Sequence, residues 1–367
     1  MSTQGTPTRR RALRRAVQFV DAVATPHGID RYIELALPTW SSTEVRARIV
    51  AVRRGSASSV TLSLRPNSNW TGFTAGQHTQ LSVEIDGVRR TRCYSMANSA
   101  HRADGLVELT VKAHPMGRVS GYLVDHARPG MVVGLSPAQG VFTLPEVRPQ
   151  RVLLVSGGSG ITPVMSMLRT LCDEGHRGPV AFLHYAISAA EHPYREEVVR
   201  LVALHPNLRV HTVYTDAPGT GDLDGLFCEG HLAAADPDWV DAEAFVCGPA
   251  PLMDAVREVF GEAGRSAQYH DEAFTLALTP ARSGGGAVTF ASSAMTVADD
   301  GRTLLEQAES NGLSPTHGCR MGICHTCTRL LNSGAVRNVT TGDVVDATGT
   351  EIRICVSAPD GDVSIDL

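Results

Sequence analysis

The stretch VLLVSGGSGITP, residues 152–163, decides the fold of the middle of this chain. Four apolar residues make a short run typical of a buried strand, and a glycine-rich turn leads from it into a helical pattern. A strand, a glycine loop and a helix in this order are typical of α/β domains in which backbone N–H groups at the turn bind a pyrophosphate. Tight strand-to-helix turns also need glycine for steric reasons alone. Both interpretations of Gly157, Gly158 and Gly160 are therefore open.

The same pattern of strands and helices continues over residues 148–274. Strand patterns lie at 180–187, 208–214 and 244–246, and helical patterns lie at 195–204 and 252–262. This alternation predicts a doubly wound parallel sheet. Cys247-Gly248-Pro249 follows a strand pattern, so we expect this turn at the carboxyl edge of the sheet, where α/β proteins bind ligands. A lone cysteine at such a turn is also typical of a small buried side chain.

Residues 45–147, upstream of this region, alternate apolar and polar side chains with a period of two. The alternating runs lie at 46–52, 60–64, 80–85, 107–111 and 131–135. Short strands at this spacing predict a small antiparallel β-barrel. Residues 275–286 are rich in proline and glycine, which is typical of a linker. Residues 287–367 form a separate unit of short strands with one helix near 303–308.

Composition and charge exclude several classes of protein. The 367 residues are 43% apolar, which is too many for a disordered chain. Since 33 basic side chains stand against 38 acidic ones, no basic excess indicates nucleic-acid binding. No apolar run reaches the roughly 18 residues that a membrane-spanning helix needs.

Residues 1–44 are interpreted as an N-terminal extension that opens with an arginine cluster at 9–15. Asp21 interrupts the apolar residues after this cluster, so we expect no secretory signal and predict a cytoplasmic protein. Leu13 and Val17 follow helical spacing among the arginines. This pattern fits a helix packed on the body of the protein, and alternatively a helix at the inner face of the membrane.

Four of the eight cysteines lie in the last unit of the chain. Cys319, Cys324 and Cys327 are spaced C-x4-C-x2-C, and Cys355 follows later, which is the plant-type spacing of [2Fe–2S] ligands. The alternative is a zinc site, but structural zinc usually pairs its ligands as two short knuckles. We interpret these cysteines as ligands of a [2Fe–2S] cluster.

Four further motifs precede the cysteines in the sequence. They are Arg92-Cys93-Tyr94-Ser95, Gly117-Arg118-Val119-Ser120, the glycine loop at 157–163, and Cys247-Gly248-Pro249. Together with the cysteine spacing, they resemble the ferredoxin–NADP⁺ reductase superfamily, and more closely its members with a plant-type ferredoxin domain fused after the reductase. The resemblance implies a flavin-binding antiparallel β-barrel, an NAD(P)-binding α/β domain and an α+β (β-grasp) ferredoxin domain.

The resemblance also implies roles for individual residues. Arg92 would meet the flavin phosphate, Tyr94 would stack on the isoalloxazine, and Ser95 would hydrogen-bond near its N5. Tyr94, Ser95 and Cys247 are the implied catalytic residues. The implied cofactor-binding residues are Arg92, Tyr94, Ser95, Gly117, Val119, Ser120, Gly157, Gly158, Gly160, Thr162, Ser188, Cys247, Gly248, Pro249 and Phe274. Taken singly, Tyr94 also fits a core residue and Arg92 a solvated edge charge.

Two positions depart from the family's pattern. Residues 136–140, SPAQG, replace the usual G-P-x-G turn after the barrel. Ser188 is followed by Ala189 where NADP-specific members often have arginine, and Arg195 is the candidate substitute. No carboxylate suited to the NAD ribose stands there, so the resemblance favours NADPH over NADH. It also favours FAD over FMN.

The resemblance implies an NAD(P)H-dependent oxidoreductase. Electrons would pass from nicotinamide to flavin and then one at a time through the cluster to a redox partner protein. The sequence looks most like actinobacterial reductases of membrane acyl-CoA desaturases, and the alternative partner is a Rieske-type oxygenase or a hybrid-cluster protein. The alternative hypothesis from another functional class is a non-catalytic regulatory subunit that binds a nucleotide and zinc.

Overall fold

The computed structural model of the protein describes residues 37–56, 58–114, 117–274, 285–318, 322, 325–339 and 342–367. It contains the three kinds of fold that the sequence predicts: an antiparallel barrel, a parallel α/β sheet and an α+β unit. The N-terminal arginine cluster, most of the linker, Cys319 and Cys324 lie outside the described residues. Within the described part of the chain, no helix is long and apolar enough to cross a membrane.

Six antiparallel strands and one helix form the barrel. The strands are β1 (Val45–Ser56), β2 (Ser59–Pro66), β3 (His78–Ile85), β4 (Val88–Ser95), β5 (Val107–Lys112) and β6 (Val132–Leu135), and the helix is α1 (Arg118–His126). Their order in the sheet is β4-β3-β6-β1-β2-β5. A bridge between Met96 and Leu109 joins the two ends of this order and closes the sheet on itself. Ile49, Leu62 and Leu81 are fully buried in the core, as the alternating pattern predicts.

The alternation rule misses strand β4, because its sequence VRRTRCYS is mostly polar. The strand pairs with β3 along its whole length, from His78 opposite Ser95 to Ile85 opposite Val88. Asp86 and Gly87 connect the two strands, and both adopt a positive φ. Asp-Gly is a strong sequence signal for a tight hairpin turn of this kind. The hairpin carries the R-x-Y-S motif to the end of β4.

A five-stranded parallel sheet follows the barrel. Its strands are β7 (Val152–Gly157), β8 (Val180–Ala186), β9 (Leu208–Tyr214), β10 (Glu243–Cys247) and β11 (Tyr269–Glu272), in the order β11-β10-β7-β8-β9. Four helices accompany it: α2 (Ile161–Asp173), α3 (Arg195–Leu204), α4 (Glu229–Ala235) and α5 (Ala250–Glu262). The chain moves outward in one direction from β7 to β9 and returns on the other side at β10. Ligands bind outside the carboxyl ends of the strands at such a reversal.

Helices cover both faces of this parallel sheet. Leu154 of β7 belongs to the cluster that includes Met165 of α2, and Val155 belongs to the cluster that includes Phe260 of α5. A strand that is buried on both faces needs apolar side chains at successive positions. This explains the solid apolar run of β7, and it confirms the doubly wound architecture.

Beyond the linker, one helix and eight short strands form the α+β unit. The strands are β12 (Ala287–Phe290), β13 (Met295–Ala298), β14 (Thr328–Ser333), β15 (Val336–Asn338), β16 (Val344–Val345), β17 (Glu351–Arg353), β18 (Ser357–Pro359) and β19 (Val363–Ile365). They form a mixed sheet in the order β13-β12-β19-β14-β17 and a small sheet in the order β16-β15-β18. Thr303 is the N-cap of helix α6 (Leu304–Ser310), and its side chain forms a capping box with Glu306.

The barrel and the parallel sheet meet at a group of buried and partly buried polar residues, the interdomain arginine cluster: Arg169, Glu108, Glu197, Tyr194 and Thr110. Arg169 donates to Glu197 Oε1 over 2.6 Å and to Glu108 Oε1 over 2.9 Å. The Tyr194 hydroxyl hydrogen-bonds to the hydroxyl of Thr110. Burial lowers the pKa of Arg169, but the hydrogen bond to Glu197 and the charge of Glu108 outweigh burial and raise it. This cluster fixes how the two units face each other.

Candidate functional site

A cavity of about 500 Å³, the inner cavity, opens where the barrel meets the carboxyl edge of the parallel sheet. Its lining residues come from the barrel strands and from the loops after β7, β10 and β11. They are His78, Cys93, Tyr94, Ser95, Thr110, Lys112, Ala113, His114, Gly157, Gly158, Ser159, Gly160, Thr162, Gly248, Pro249, Glu272, Ala273 and Phe274. The cavity therefore lies at the strand-order reversal, where the fold places ligands.

Residues from separate sequence motifs meet at the inner cavity. Of the residues that the sequence singles out, the structure brings Tyr94, Ser95, Gly157, Gly158, Gly160, Thr162, Gly248, Pro249 and Phe274 to its wall. Arg92, Gly117, Val119, Ser120, Ser188 and Cys247 do not line it. The R-x-Y-S motif, the glycine loop and the Cys-Gly-Pro turn thus share one site, and the second loop of the barrel stands apart from it.

Ser95 and Tyr94 present a hydroxyl and an aromatic ring at the end of β4. Ser95 is 3% exposed, and its Oγ has no hydrogen-bond partner among the described residues. A buried hydroxyl without a partner costs on the order of 1–3 kcal/mol, so its presence on a cavity wall points to a polar ligand atom. Burial raises the pKa of Tyr94, which keeps its phenol neutral. These two side chains fit the ring system of a flavin, which has polar edges and apolar faces.

The glycine loop resolves into two kinds of glycine. A Cβ on Gly160 would lie 2.1 Å from the carbonyl oxygen of Cys247, and a Cβ on Gly157 would lie 2.7 Å from Pro249 Cδ. These two glycines are explained by tight packing of the loop on the Cys-Gly-Pro turn. Gly158 has a φ of +54°, and a Cβ there would meet nothing within 4 Å. Its open side fits a phosphate that approaches the backbone ahead of α2.

Cys247 lies beneath the turn rather than on the cavity wall. It is fully buried, and burial raises the pKa of its thiol well above the ordinary range, with a further contribution from Glu272. A buried neutral thiol packs like a small apolar side chain. The structure therefore gives Cys247 a place in the packing of the turn and no contact with the cavity.

The barrel loop at Gly117 is held by local hydrogen bonds. Ser120 Oγ accepts the backbone N–H of His114 over 3.1 Å and donates to the carbonyl of Gly117 over 3.2 Å. Val119 is 1% exposed and packs in the barrel core. Arg92, on β4, donates to the carbonyl of Thr91 over 2.7 Å.

Two lining residues, His78 and Glu272, form a buried pair to which the sequence assigns no role. His78 Nδ1 lies 3.3 Å from Glu272 Oε1, and the two side chains are 4% and 11% exposed. Their remaining polar atoms, His78 Nε2 and Glu272 Oε2, have no hydrogen-bond partner among the described residues. The sequence signal that could have pointed to them is their position: His78 stands at the start of β3, and Glu272 stands two residues before Phe274.

Lys112 is a second residue whose position the sequence left unexplained. It is the one lysine among the 33 basic residues of the chain. Its Nζ lies 2.7 Å from Glu191 Oε2, and its side chain lines the inner cavity and a neighbouring one. A cation at this junction suits a ligand that extends from one cavity to the other and carries phosphate.

The neighbouring cavity, the outer cavity, has a volume of about 450 Å³. Its lining residues are Lys112, Gly157, Gly158, Tyr185, Ala186, Ile187, Glu191, Thr215, Leu226, Phe227, Pro249, Pro251, Leu252 and Ala255. Arg195, the candidate phosphate ligand, does not line it and faces a separate polar cleft beside Arg54. The lining of the outer cavity is mostly apolar, which suits the flat faces of an adenine ring.

In the α+β unit, Cys327 and Cys355 come close to each other. Cys327 directly precedes β14, Cys355 follows β17, and these strands pair antiparallel with Thr328 opposite Arg353. The two cysteines are 2% and 3% exposed, so both thiols lie in the core. Gly322 has a φ of +74°, and a Cβ there would lie 2.9 Å from Val356. Buried thiols beside a tight glycine loop fit an iron–sulfur cluster.

Comparisons with known proteins agree with this arrangement. Three families match in order: the oxidoreductase FAD-binding domain over residues 48–144, the oxidoreductase NAD-binding domain over 154–258, and the 2Fe-2S iron-sulfur cluster binding domain over 288–360. An NADPH oxidoreductase of Mycobacterium tuberculosis (strain ATCC 25618 / H37Rv) is 38% identical over 349 residues, which cover 94% of this chain and 90% of the relative. The chain belongs to the ferredoxin–NADP⁺ reductase superfamily.

Two further proteins match most of this chain and most of their own length. The glycine betaine monooxygenase reductase subunit of Pseudomonas aeruginosa (strain UCBPP-PA14) is 31% identical over 80% of this chain and 87% of its own. The structure of phthalate dioxygenase reductase matches with a TM-score of 0.63 and 25% identity, over 88% of this chain and 97% of that one. This superfamily member is therefore an NAD(P)H-dependent flavoprotein oxidoreductase with FAD and a [2Fe–2S] ferredoxin domain.

Proposed function

We propose that this reductase accepts reducing equivalents from NAD(P)H in the inner cavity and delivers them singly, through its ferredoxin domain, to a partner oxygenase. The observation that carries the proposal is the set of three buried atoms without partners on one cavity wall: Ser95 Oγ, His78 Nε2 and Glu272 Oε2. When bound, FAD supplies hydride acceptance and the cluster supplies one-electron transfer. The chain's own residues bind and orient these groups.

In the inner cavity, Tyr94 and Ser95 are the proposed contacts of the flavin ring. The partly buried ring of Tyr94 would offer an apolar face to the isoalloxazine, and the unpartnered Ser95 hydroxyl would donate to a ring nitrogen. Phe274 covers the cavity from the side of the parallel sheet. Arg92 and the loop of Gly117, Val119 and Ser120 are proposed to bind the flavin phosphates, at a distance from the ring.

The nicotinamide nucleotide is proposed to extend along the carboxyl edge of the parallel sheet. Its nicotinamide would enter the inner cavity beside Gly160, Thr162, Gly248 and Pro249, and its adenosine would occupy the outer cavity, with Ser188 at its margin. Gly158 leaves room for the pyrophosphate, and Lys112 supplies a positive charge between the two halves. NADPH is the proposed donor, supported by the printed name of the mycobacterial relative.

The four cysteines Cys319, Cys324, Cys327 and Cys355 are the proposed cluster ligands, within a ferredoxin domain of residues 287–367. Two of them, Cys327 and Cys355, support this proposal through their burial at one end of the β14–β17 pair. The proposed boundaries of the other parts are 1–44, 45–147, 148–274 and 275–286.

The proposed electron acceptor is an oxygenase, because relatives that match most of this chain are named as reductases of a monooxygenase and a dioxygenase. A membrane acyl-CoA desaturase is the second candidate, from the likeness of the sequence to actinobacterial desaturase reductases. Residues 287–367 carry 10 acidic and 5 basic side chains. We therefore expect either partner to dock on the ferredoxin domain through a basic face of its own. A cytoplasmic location is proposed for both reactions.

Cofactor analysis of the purified protein tests this function. We expect about one FAD, two iron and two sulfide per chain, and bleaching of both chromophores by NADPH without oxygen. Zinc in place of iron and sulfide would overturn the proposal and support the regulatory subunit. Reconstitution with an oxygenase and, separately, with a desaturase then identifies the acceptor by product formation.

A further inference from the structure

The His78–Glu272 pair joins the barrel to the parallel sheet at the wall of the inner cavity. His78 is the first residue of β3, where its backbone N–H and carbonyl both bond to Gln139 over 2.9 Å. Glu272 is the last residue of β11 and stands opposite Cys247 in the parallel pairing. The backbone of each residue is therefore held by its own strand, and the side-chain contact spans the two units.

The turn after the barrel is shaped around this pair. Gly140 has a φ of +113°, and a Cβ there would lie 3.1 Å from His78 Nδ1 and 3.8 Å from Glu272 Oε1. Only glycine combines this backbone conformation with room for the pair. Gly140 ends the segment SPAQG, which departs from the family's usual pattern at this turn.

Among the described ionisable side chains that line the inner cavity, His78 is the one that contacts Glu272. The ionisable side chains with nitrogen or carboxylate atoms on its wall are His78, Lys112, His114 and Glu272. Lys112 is held by Glu191 over 2.7 Å, whereas Glu272 Oε1 contacts His78 Nδ1. The other oxygen, Glu272 Oε2, stays unpartnered beside the cavity. A negative carboxylate in a site of low polarity repels the electrons that a neighbouring ring gains, and it therefore lowers the reduction potential of that ring.

We propose that His78 is a positioning residue for Glu272. Its Nδ1 holds one carboxylate oxygen, keeps the second at the cavity wall, and offsets the carboxylate charge felt by the flavin. His78 thus sets the electron affinity of the flavin through Glu272 and not by itself. This inference rests on the proposed function, because it takes the inner cavity as the flavin site.

A double-mutant cycle on the full-length flavoprotein tests the inference. The flavin midpoint potential is measured by titration against a reference dye, without nicotinamide, in wild type, His78→Phe, Glu272→Gln and the double variant. We expect His78→Phe to shift the reduction equilibrium about tenfold towards oxidised flavin, about 30 mV for a two-electron couple. Glu272→Gln is expected to shift it about tenfold towards reduced flavin, and the double variant should match Glu272→Gln.

Two variants act as controls for structure. His78→Asn keeps an N–H donor near the position of Nδ1, so its potential should stay within threefold of wild type on the same scale. His101→Asn removes a different histidine–glutamate contact, 2.6 Å from Glu174 and away from both cavities, and it should leave the potential unchanged.

The outcomes separate this inference from the proposed function. An equal shift on His78→Phe with and without Glu272, or no shift at all, would overturn the inference and leave the reductase function standing. If His78→Phe fails to fold, Glu272→Asp replaces it, because the shorter carboxylate leaves His78; an unchanged potential would then overturn the inference. Wild-type protein that holds no flavin overturns both.

Discussion

Two groups of buried polar residues lie where the barrel meets the parallel sheet, and they differ in how completely they are bonded. In the interdomain arginine cluster, Arg169 donates to two carboxylates and to the carbonyl of Ala97. On the wall of the inner cavity, Ser95, His78 and Glu272 each retain an atom without a partner. Buried polar groups are normally satisfied, so the first group explains the assembly of the domains, and the second group offers three open positions to a ligand at the cavity wall.

The difference predicts opposite responses to mutation. Removal of one member of a satisfied charged cluster leaves the others buried without compensation, which destabilises the fold. Removal of an unsatisfied group costs the fold little and affects the ligand that would bond to it. Stability and chemistry should therefore separate between the two groups, although both lie at the same domain contact.

Loss of Arg169 should have the largest effect on stability. Arg169→Leu removes the shared partner of Glu108 and Glu197 and leaves Glu108 only its longer contacts with Arg102 and Arg53, so we expect a loss of about 3 kcal/mol in the free energy of unfolding. Urea unfolding followed by circular dichroism measures this. Arg265→Leu is the matched control, because its exposed pair with Asp241 should contribute at most about 1 kcal/mol. Equal losses for the two variants would contradict the structural role of the cluster.

A third buried group, His184 and His192, should make stability depend on pH. Burial lowers the pKa of His192 to about 4 and that of His184 well below its usual range. The unfolded chain binds protons near pH 6.5 and the folded chain does not, so stability is full above that pH and falls as the pH drops towards 4.

The expected contribution of His192 is on the order of 3 kcal/mol between these limits. Unfolding midpoints in urea at several pH values measure it, and His192→Phe should flatten the curve. A variant with the wild-type slope would show that other groups carry the acid sensitivity.

Gly160 should be more sensitive to substitution than Gly158. A methyl group on Gly160 collides with the Cys247 carbonyl, so Gly160→Ala is expected to lose about 1–3 kcal/mol and to weaken NADPH binding. Gly158→Ala meets no atom within 4 Å and pays only for its left-handed backbone, about 1–2 kcal/mol. Calorimetric unfolding ranks the two. A greater loss for Gly158→Ala would reverse the assignment of packing and ligand glycines.

Ser95→Ala should change stability least and chemistry clearly. The Ser95 hydroxyl has no partner in the described structure, so we expect unfolding within about 0.5 kcal/mol of wild type. Loss of its bond to the flavin should slow reduction by NADPH about tenfold in stopped-flow measurements. Ser166→Ala, whose hydroxyl bonds the carbonyl of Asn98, is the control and should lose stability with an unchanged rate. A destabilised Ser95→Ala with a wild-type rate would place Ser95 among the structural residues.

The sequence predicted the three folds because the dominant signal, apolar periodicity, reflects burial directly. The alternating runs do not include β4, whose polar residues face little of the core, and the strand and helix patterns do not include the short elements α4 and β11. The family resemblance implied cofactor contacts for Tyr94, Ser95 and the glycine loop, and the structure brings these residues, from two different sheets, to the wall of the inner cavity. The sequence did not predict the meeting of His78 with Glu272, because their contact depends on how two independently formed domains pack. The same reason hid the position of Lys112 between the two cavities.

Freeze-quenched electron paramagnetic resonance of the wild-type protein mixed with NADPH under nitrogen tests the central claim most directly. We expect a spin-half signal of a reduced [2Fe–2S] cluster to grow as the long-wavelength absorbance of the flavin falls. Flavin that bleaches while no cluster signal develops would contradict the claim, because electrons would then stop at the inner cavity.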